Sequence, residues 1–172
     1  MYARGLKLRS GLLRLCEVPL HAVETRKQQL ETYFRRAADP AISDEVRSDL
    51  AKHGIVLVCG FVERSVETVI MEKIAQRAHP RVQNFIRGYF KIGTNYNCEA
   101  IAQLLERFDV GWGLKFRVFL KTRDDLAEAL RSAYDLRNSI AHGGTGNRGL
   151  RGVQDLYASA KEVVDGMEAA TT

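Results

Sequence analysis

Arg137, Asn138 and His142 stand within six residues of one another in "LRNSIAHG", Leu136 to Gly143. Histidine is the side chain whose unperturbed pKa permits proton exchange near neutrality, and arginine offers a permanent planar fork of donors matched to a phosphate. Together they can break an RNA chain without a metal. His142 would act as general base on a ribose 2′-hydroxyl or as the acid on the departing 5′ oxygen, and Arg137 would stabilise charge on the phosphorane. Asn138 would orient the imidazole or the substrate. A second reading fits the same spacing: a polar helix terminus, its histidine satisfied and its arginine paired to a nearby acid.

The elements that must position these groups narrow the geometry. Leu126, Leu130, Ala133, Arg137 and Ala141 follow steps of three and four, so the spacing predicts a helix over 123–141 whose apolar stripe leads directly to Arg137. An arginine there is not placed like a surface charge. Asn138 and His142 are four residues apart and share a face, whereas Arg137 and His142 lie about 140° apart around an ideal helix. The three can converge only at a frayed or distorted helix end, or by meeting copies on another subunit. Thr122 is the expected N-cap, with Asp124 and Asp125 in the first turn, and Gly143 and Gly144 are expected to end the helix.

The rest of the chain reads as helical throughout. A basic, leucine-rich arm at 1–18 is expected to lie outside the core, as a flexible arm, an upstream extension or a targeting sequence, and residues 19–170 form one domain. Helices are expected over 21–38, 43–78, 80 to about 93, 98–108 and 153–169, with a kink or close helix contact at Gly54 or Gly60. The stretch "DVGWGLKF" around Trp112 reads as a loop or a helix start, and "GGTGNRGLRG" as the flexible glycine-rich loop. No alternating strand pattern is sustained, so the fold class is all-α, a helical bundle.

Composition excludes several classes. Hydrophobic residues at 45% and charged residues at 27% describe a globular protein. The longest nearly apolar run, Gly54–Val62, is about half of what a membrane crossing needs. Cys16, Cys59 and Cys98 have no metal-ligand spacing, and a disulfide framework is not expected; a reducing cytoplasm fits. No cofactor or metal set is legible, since Glu63, Glu67 and Glu72 lack histidine partners at helical spacing and read as solvated charges or partners of Arg64. Glu63 alone, beside the apolar run, is placed to orient Arg137 across the bundle.

The net charge of +5 points to an acidic partner, but Arg4, Lys7, Arg9 and Arg14 of the arm supply most of that excess. Two acid-free stretches, Lys73–Cys98 and Val110–Arg123, can follow a phosphate backbone. In the first, Arg81, Arg87 and Lys91 interleave with Phe85, Tyr89 and Phe90, a pattern suited to RNA, although a core-facing aromatic stripe is the favoured reading. Arg148 and Arg151 in the glycine-rich loop are further candidate RNA contacts.

The motif "RNSIAHG" resembles the arginine-x(4–6)-histidine signature of the HEPN superfamily, in which a polar residue, commonly asparagine, follows the arginine. Over Ala51–Ala169 the order of long helix, short segment, helix, tryptophan-containing linker and motif helix is similar to the RiboL-PSP-HEPN branch. The resemblance implies a bundle of four to five helices with short accessory helices and a homodimer that brings two arginine-histidine pairs into one cleft. It also implies a metal-independent endoribonuclease leaving 2′,3′-cyclic phosphate and 5′-hydroxyl ends. The context it implies is a toxin with a cognate antitoxin or regulatory protein, or an RNA-targeting defence effector; the alternative is a non-catalytic module that binds RNA or protein. Some such toxins carry a tyrosine two residues after the histidine, which the antitoxin modifies with nucleotides; here that position is Gly144, so this regulation is not expected.

Overall fold

In the computed structural model, residues 18–75, 77–90, 94–146 and 148–172 are described, with side chains from residue 22 onward. The arm at 1–17, Cys16 and Lys91 therefore lie outside the described residues. The described residues form seven helices and no strand: α1 Val18–Ala37, α2 Asp44–Ala75, α3 Pro80–Phe90, α4 Cys98–Phe108, α5 Val110–Leu120, α6 Asp124–Ala141 and α7 Leu150–Ala170. Four are long, and α3, α4 and α5 have 11 residues each.

The 32-residue α2 is the spine, packing against α1, α3, α6 and α7. Its buried residues, among them Ile55, Val58, Val62, Val66 and Ile70, occupy several faces because neighbours surround it. Each such side chain removed from water stabilises the fold by about 1.5–3 kcal/mol. Gly54 is the close contact foreseen in the sequence: a Cβ there would lie 3.1 Å from Phe34 Cε1 and 3.3 Å from a methyl of Val153. At Gly60 a Cβ would meet nothing within 4 Å, so no close approach requires it.

Of the two readings of "DVGWGLKF", the helix start holds and the loop does not: α5 opens at Val110. Asp109 caps it, its Oδ1 accepting from the Gly111 amide at 2.7 Å and the Trp112 amide at 3.3 Å. Gly113 serves contact rather than a turn: a Cβ there would run into Glu106 and lie 3.1 Å from the Ala102 carbonyl oxygen of α4. Thr122 does not cap α6. The N-cap is Arg123, which makes no side-chain cap hydrogen bond; its guanidinium instead binds Asp125 and reaches Glu162 of α7 at 2.6 Å.

The packing leaves Glu72 as a destabilising carboxylate. Glu72 Oε1 is buried without a hydrogen bond, and burial together with nearby Glu168 holds its carboxyl above the ordinary range. A raised folded-state pKa means that folding favours the protonated form, so stability falls as pH rises from the unfolded value through the folded one. Glu72→Gln is therefore expected to raise the melting temperature at pH 7 by about 2 °C. The gain should fade on acidification through the ordinary glutamate range, which thermal melts at the two pH values would show; an unchanged or lower value at pH 7 contradicts it.

Candidate active site

The end of α6 is not frayed. The His142 amide still donates to the Asn138 carbonyl at 3.1 Å, and the helix closes in a Schellman arrangement. The Gly144 amide donates to the Ser139 carbonyl at 2.8 Å and the Gly143 amide to the Ile140 carbonyl at 3.1 Å. Gly143 takes φ 79°, the left-handed conformation that favours glycine. Gly144 is required for a different reason: a Cβ there would collide with the Ser139 hydroxyl and lie 2.9 Å from the Ser139 carbonyl oxygen. A tyrosine at this position has no room in this turn.

Behind the turn, Gly146 at φ 48° is buried against Ile140, and Arg148 Nη1 donates to Ser132 Oγ at 3.2 Å. The loop is thus anchored back on α6, and α7 begins at Leu150, taking in part of the stretch read as flexible. His142 itself, with φ −96° and ψ 17°, is the C-cap. Its imidazole is exposed and makes no hydrogen bond or ion pair to any described residue. Asn138, half-buried, likewise has no side-chain partner among them.

Arg137 points the other way, into the bundle. Its Nη2 donates to Glu63 Oε1 of α2 at 2.9 Å and to Asn95 Oδ1 at 2.8 Å, and the guanidinium lies 5.5 Å from the Tyr134 ring centroid. Both bonds are made by Nη2, and the Cys59 thiol lies against the same guanidinium. Asn95 sits in the turn 94–97, pinned by buried Tyr96 on one side and by Asn97 on the other, whose Oδ1 accepts from the Ala100 amide at 2.8 Å to cap α4. Burial holds the Glu63 carboxyl above its ordinary range although Arg137 pulls it down, and burial pushes the Cys59 thiol beside Arg137 up to about 11. Cys59 is therefore a neutral packing group at neutral pH. Burial also raises the Tyr134 phenol; its hydroxyl lies near the Tyr96 backbone without a hydrogen bond of normal geometry.

Arg137, Asn138 and His142 are thus placed at one helix end without a hydrogen bond joining their side chains. Of the capped-terminus reading, the arginine half is present, since Arg137 is paired to an acid, and the histidine half is absent. Glu63 does meet Arg137, while Glu67 pairs with Arg64 at 2.8 Å. Arg81 and Arg87 are exposed on α3, and Arg151 is exposed on the first turn of α7. The core-facing aromatic stripe of α3 is corrected: Phe90 is buried, but Phe85 is 79% and Tyr89 41% exposed, and Ile86 packs against the core instead.

Asn95, Cys59 and Tyr134 are site neighbours that the sequence reading did not find. Tyr134, three residues before Arg137 on the same helix, carried the (i, i+3) spacing that could have found it. Asn95 and Cys59 carried no such signal, because only the docking of α2 and of the 94–97 turn against α6 brings them there.

The model of the RiboL-PSP-HEPN family matches residues 22–171, and the chain belongs to that family. No curated protein and no solved structure matches it. Family membership supports a coarse role, as a ribonuclease or RNA-binding domain. No described helix is long and apolar enough to cross a membrane.

Proposed function

We propose that this chain is a metal-independent endoribonuclease in which His142 moves the proton and Arg137 stabilises the phosphorane. The observation that carries the reading is the contrast at one helix end: an exposed imidazole held by the glycine turn with no protein partner among the described residues, and a guanidinium held in place by Glu63 and Asn95. In the step, the ribose 2′ oxygen attacks phosphorus as its proton passes to His142, the bond from phosphorus to the 5′ oxygen breaks, and that oxygen takes a proton from an imidazolium. The products are a 2′,3′-cyclic phosphate and a 5′-hydroxyl. The guanidinium of Arg137 donates to the non-bridging oxygens where charge accumulates. Glu63 and Asn95 hold the guanidinium plane, so less orientation is lost when the phosphate arrives. Asn138, one turn before His142, is free to contact the substrate.

The working unit in this reading is a homodimer. An intact helix end does not bring Arg137 and His142 together within one chain, which leaves convergence between copies. Val110, Leu114 and Val118 of α5, 66%, 55% and 63% exposed, form an apolar stripe that a second copy can cover. A toxin or defence setting, with a separate regulatory protein and a cytoplasmic location, follows from the resemblance alone. Incubation of the purified protein with RNA in excess EDTA is expected to yield 2′,3′-cyclic phosphate ends. Absence of cleavage with RNA binding retained would favour the non-catalytic module, and activity that chelation removes and a divalent ion restores would sink the mechanism.

A further inference from the structure

Arg47, Arg64, Arg117, Arg123, Arg131 and Arg137 each form an ion pair with an acid. Several other arginines do not, and four of these gather around α3. Arg77, Arg81 and Arg87 lie on or just before this helix and Arg107 on the adjoining α4, and none of the four has an acidic partner among the described residues. Lys73–Cys98 contains no aspartate or glutamate at all. Between these charges Phe85 is the most exposed large hydrophobic side chain described, at 79%, with Val82 at 47% and Tyr89 at 41% beside it. Residues 82, 85 and 89 share one face of the helix. Arg107 Nη1 donates to the Tyr89 hydroxyl at 3.4 Å, so the ring is tied to a cation at the edge of that face.

We propose that this face of α3 is a binding strip for single-stranded RNA, stacking an unpaired base on Phe85 and a neighbouring one on Tyr89 while Arg81 and Arg107 contact the backbone phosphates. Aromatic rings interleaved with uncompensated cations suit unpaired nucleotides, because every base has a face to stack and every linkage a charge to neutralise. A second copy on the same two-fold face would bring these guanidiniums toward their own images, which like charge disfavours. The strip also leads to the reaction centre. Tyr89 and Asn95 are six residues apart, hence at most about 20 Å, and Asn95 is the residue that holds Arg137. A strand stacked on α3 therefore has its next few phosphates within reach of the Arg137 guanidinium. This assigns the substrate of the proposed reaction to unpaired RNA and rests on that reading for its catalytic consequence, though not for binding.

The test uses the full chain and a fluorescent 2′-O-methyl oligonucleotide of about twelve nucleotides, within the site sizes common for single strands, which lacks the hydroxyl needed for cleavage. Phe85→Ala is expected to weaken binding about 10-fold, Phe85→Tyr to leave it within about twofold, and Arg81→Glu with Arg107→Glu to weaken it further and flatten its dependence on salt. Phe85 is a surface side chain, so circular dichroism should not change. Equal affinity for Phe85→Ala and wild type, equal binding of the same sequence as a duplex, or conversion of a dimer to a monomer by Phe85→Ala in sedimentation would each overturn the strip, the last by showing that a second copy sits there. Tight, Phe85-dependent binding without cleavage of ordinary RNA would uphold the strip and sink the ribonuclease reading. Cleavage with Phe85→Ala binding unaltered would do the reverse.

Discussion

His142→Ala is expected to lower RNA cleavage by about 10²–10⁴-fold, the usual contribution of a positioned acid or base, with an unaltered melting curve. The imidazole is exposed and bonds to nothing in the described chain, and alanine can occupy a helix C-cap, so stability has no reason to change. Arg137→Ala should be as damaging to cleavage, by about 10²–10³-fold or more, but it is not silent in the fold. It leaves Glu63 half-buried without its cation, a loss of about 1–3 kcal/mol, and the melting temperature should fall by about 2–4 °C for each kcal/mol. Adding Glu63→Gln to Arg137→Ala removes the stranded charge and should restore most of the stability without restoring activity. That separation distinguishes a catalytic arginine from a structural one. If His142→Ala cleaves as fast as wild type, the imidazole moves no proton and the mechanism is wrong. If the double variant recovers activity together with stability, Arg137 matters only as the partner of Glu63.

How much of this was legible in the sequence depended on the range of the interaction. The all-α fold rested on helical spacing, and α1, with Val23, Leu30 and Phe34 buried as spaced, formed close to its expected bounds. The end of α6 was legible because a Schellman turn is local: Gly143 and Gly144 act on carbonyls of Ile140 and Ser139. α5 was left open between loop and helix start because glycine is a turn former in isolation, while Gly113 is there so that α4 and α5 can approach closely, a property of two helices. The exposed face of α3 was misjudged for a similar reason. Its aromatic pattern is what a core-facing helix would show, and only the packing of Ile86 and Phe90 reveals which side was already used. The Arg137 environment divides along the same line: Glu63 could be reached by asking which acid borders the apolar run of α2, whereas Asn95 acts through a turn whose position no spacing rule fixes.

Mixing two inactive variants is expected to regenerate activity. Within one chain Arg137 is drawn toward α2 and the 94–97 turn, and His142 stands on the outside of the helix end; the unbroken backbone bond from His142 to Asn138 gives no freedom to swing one onto the other. A phosphate gripped by Arg137 of one copy is then attacked with the help of His142 from the other. Dimers formed at random from equal amounts of Arg137→Ala and His142→Ala chains are roughly half mixed, and each mixed dimer keeps one intact arginine-histidine combination across the two-fold interface, so roughly one quarter of wild-type activity should return. Unfolding and refolding the mixture, rather than simple combination, ensures that chains exchange. If both groups act within a single chain, no combination in the mixed dimer is complete and the refolded mixture stays inactive. A protein that sediments as a monomer at its working concentration while cleaving RNA at full rate would contradict the shared site outright. Leu114→Asp adds an independent arm: charge placed in the exposed α5 stripe should weaken association and, if the site is shared, lower cleavage in proportion to the dimer lost.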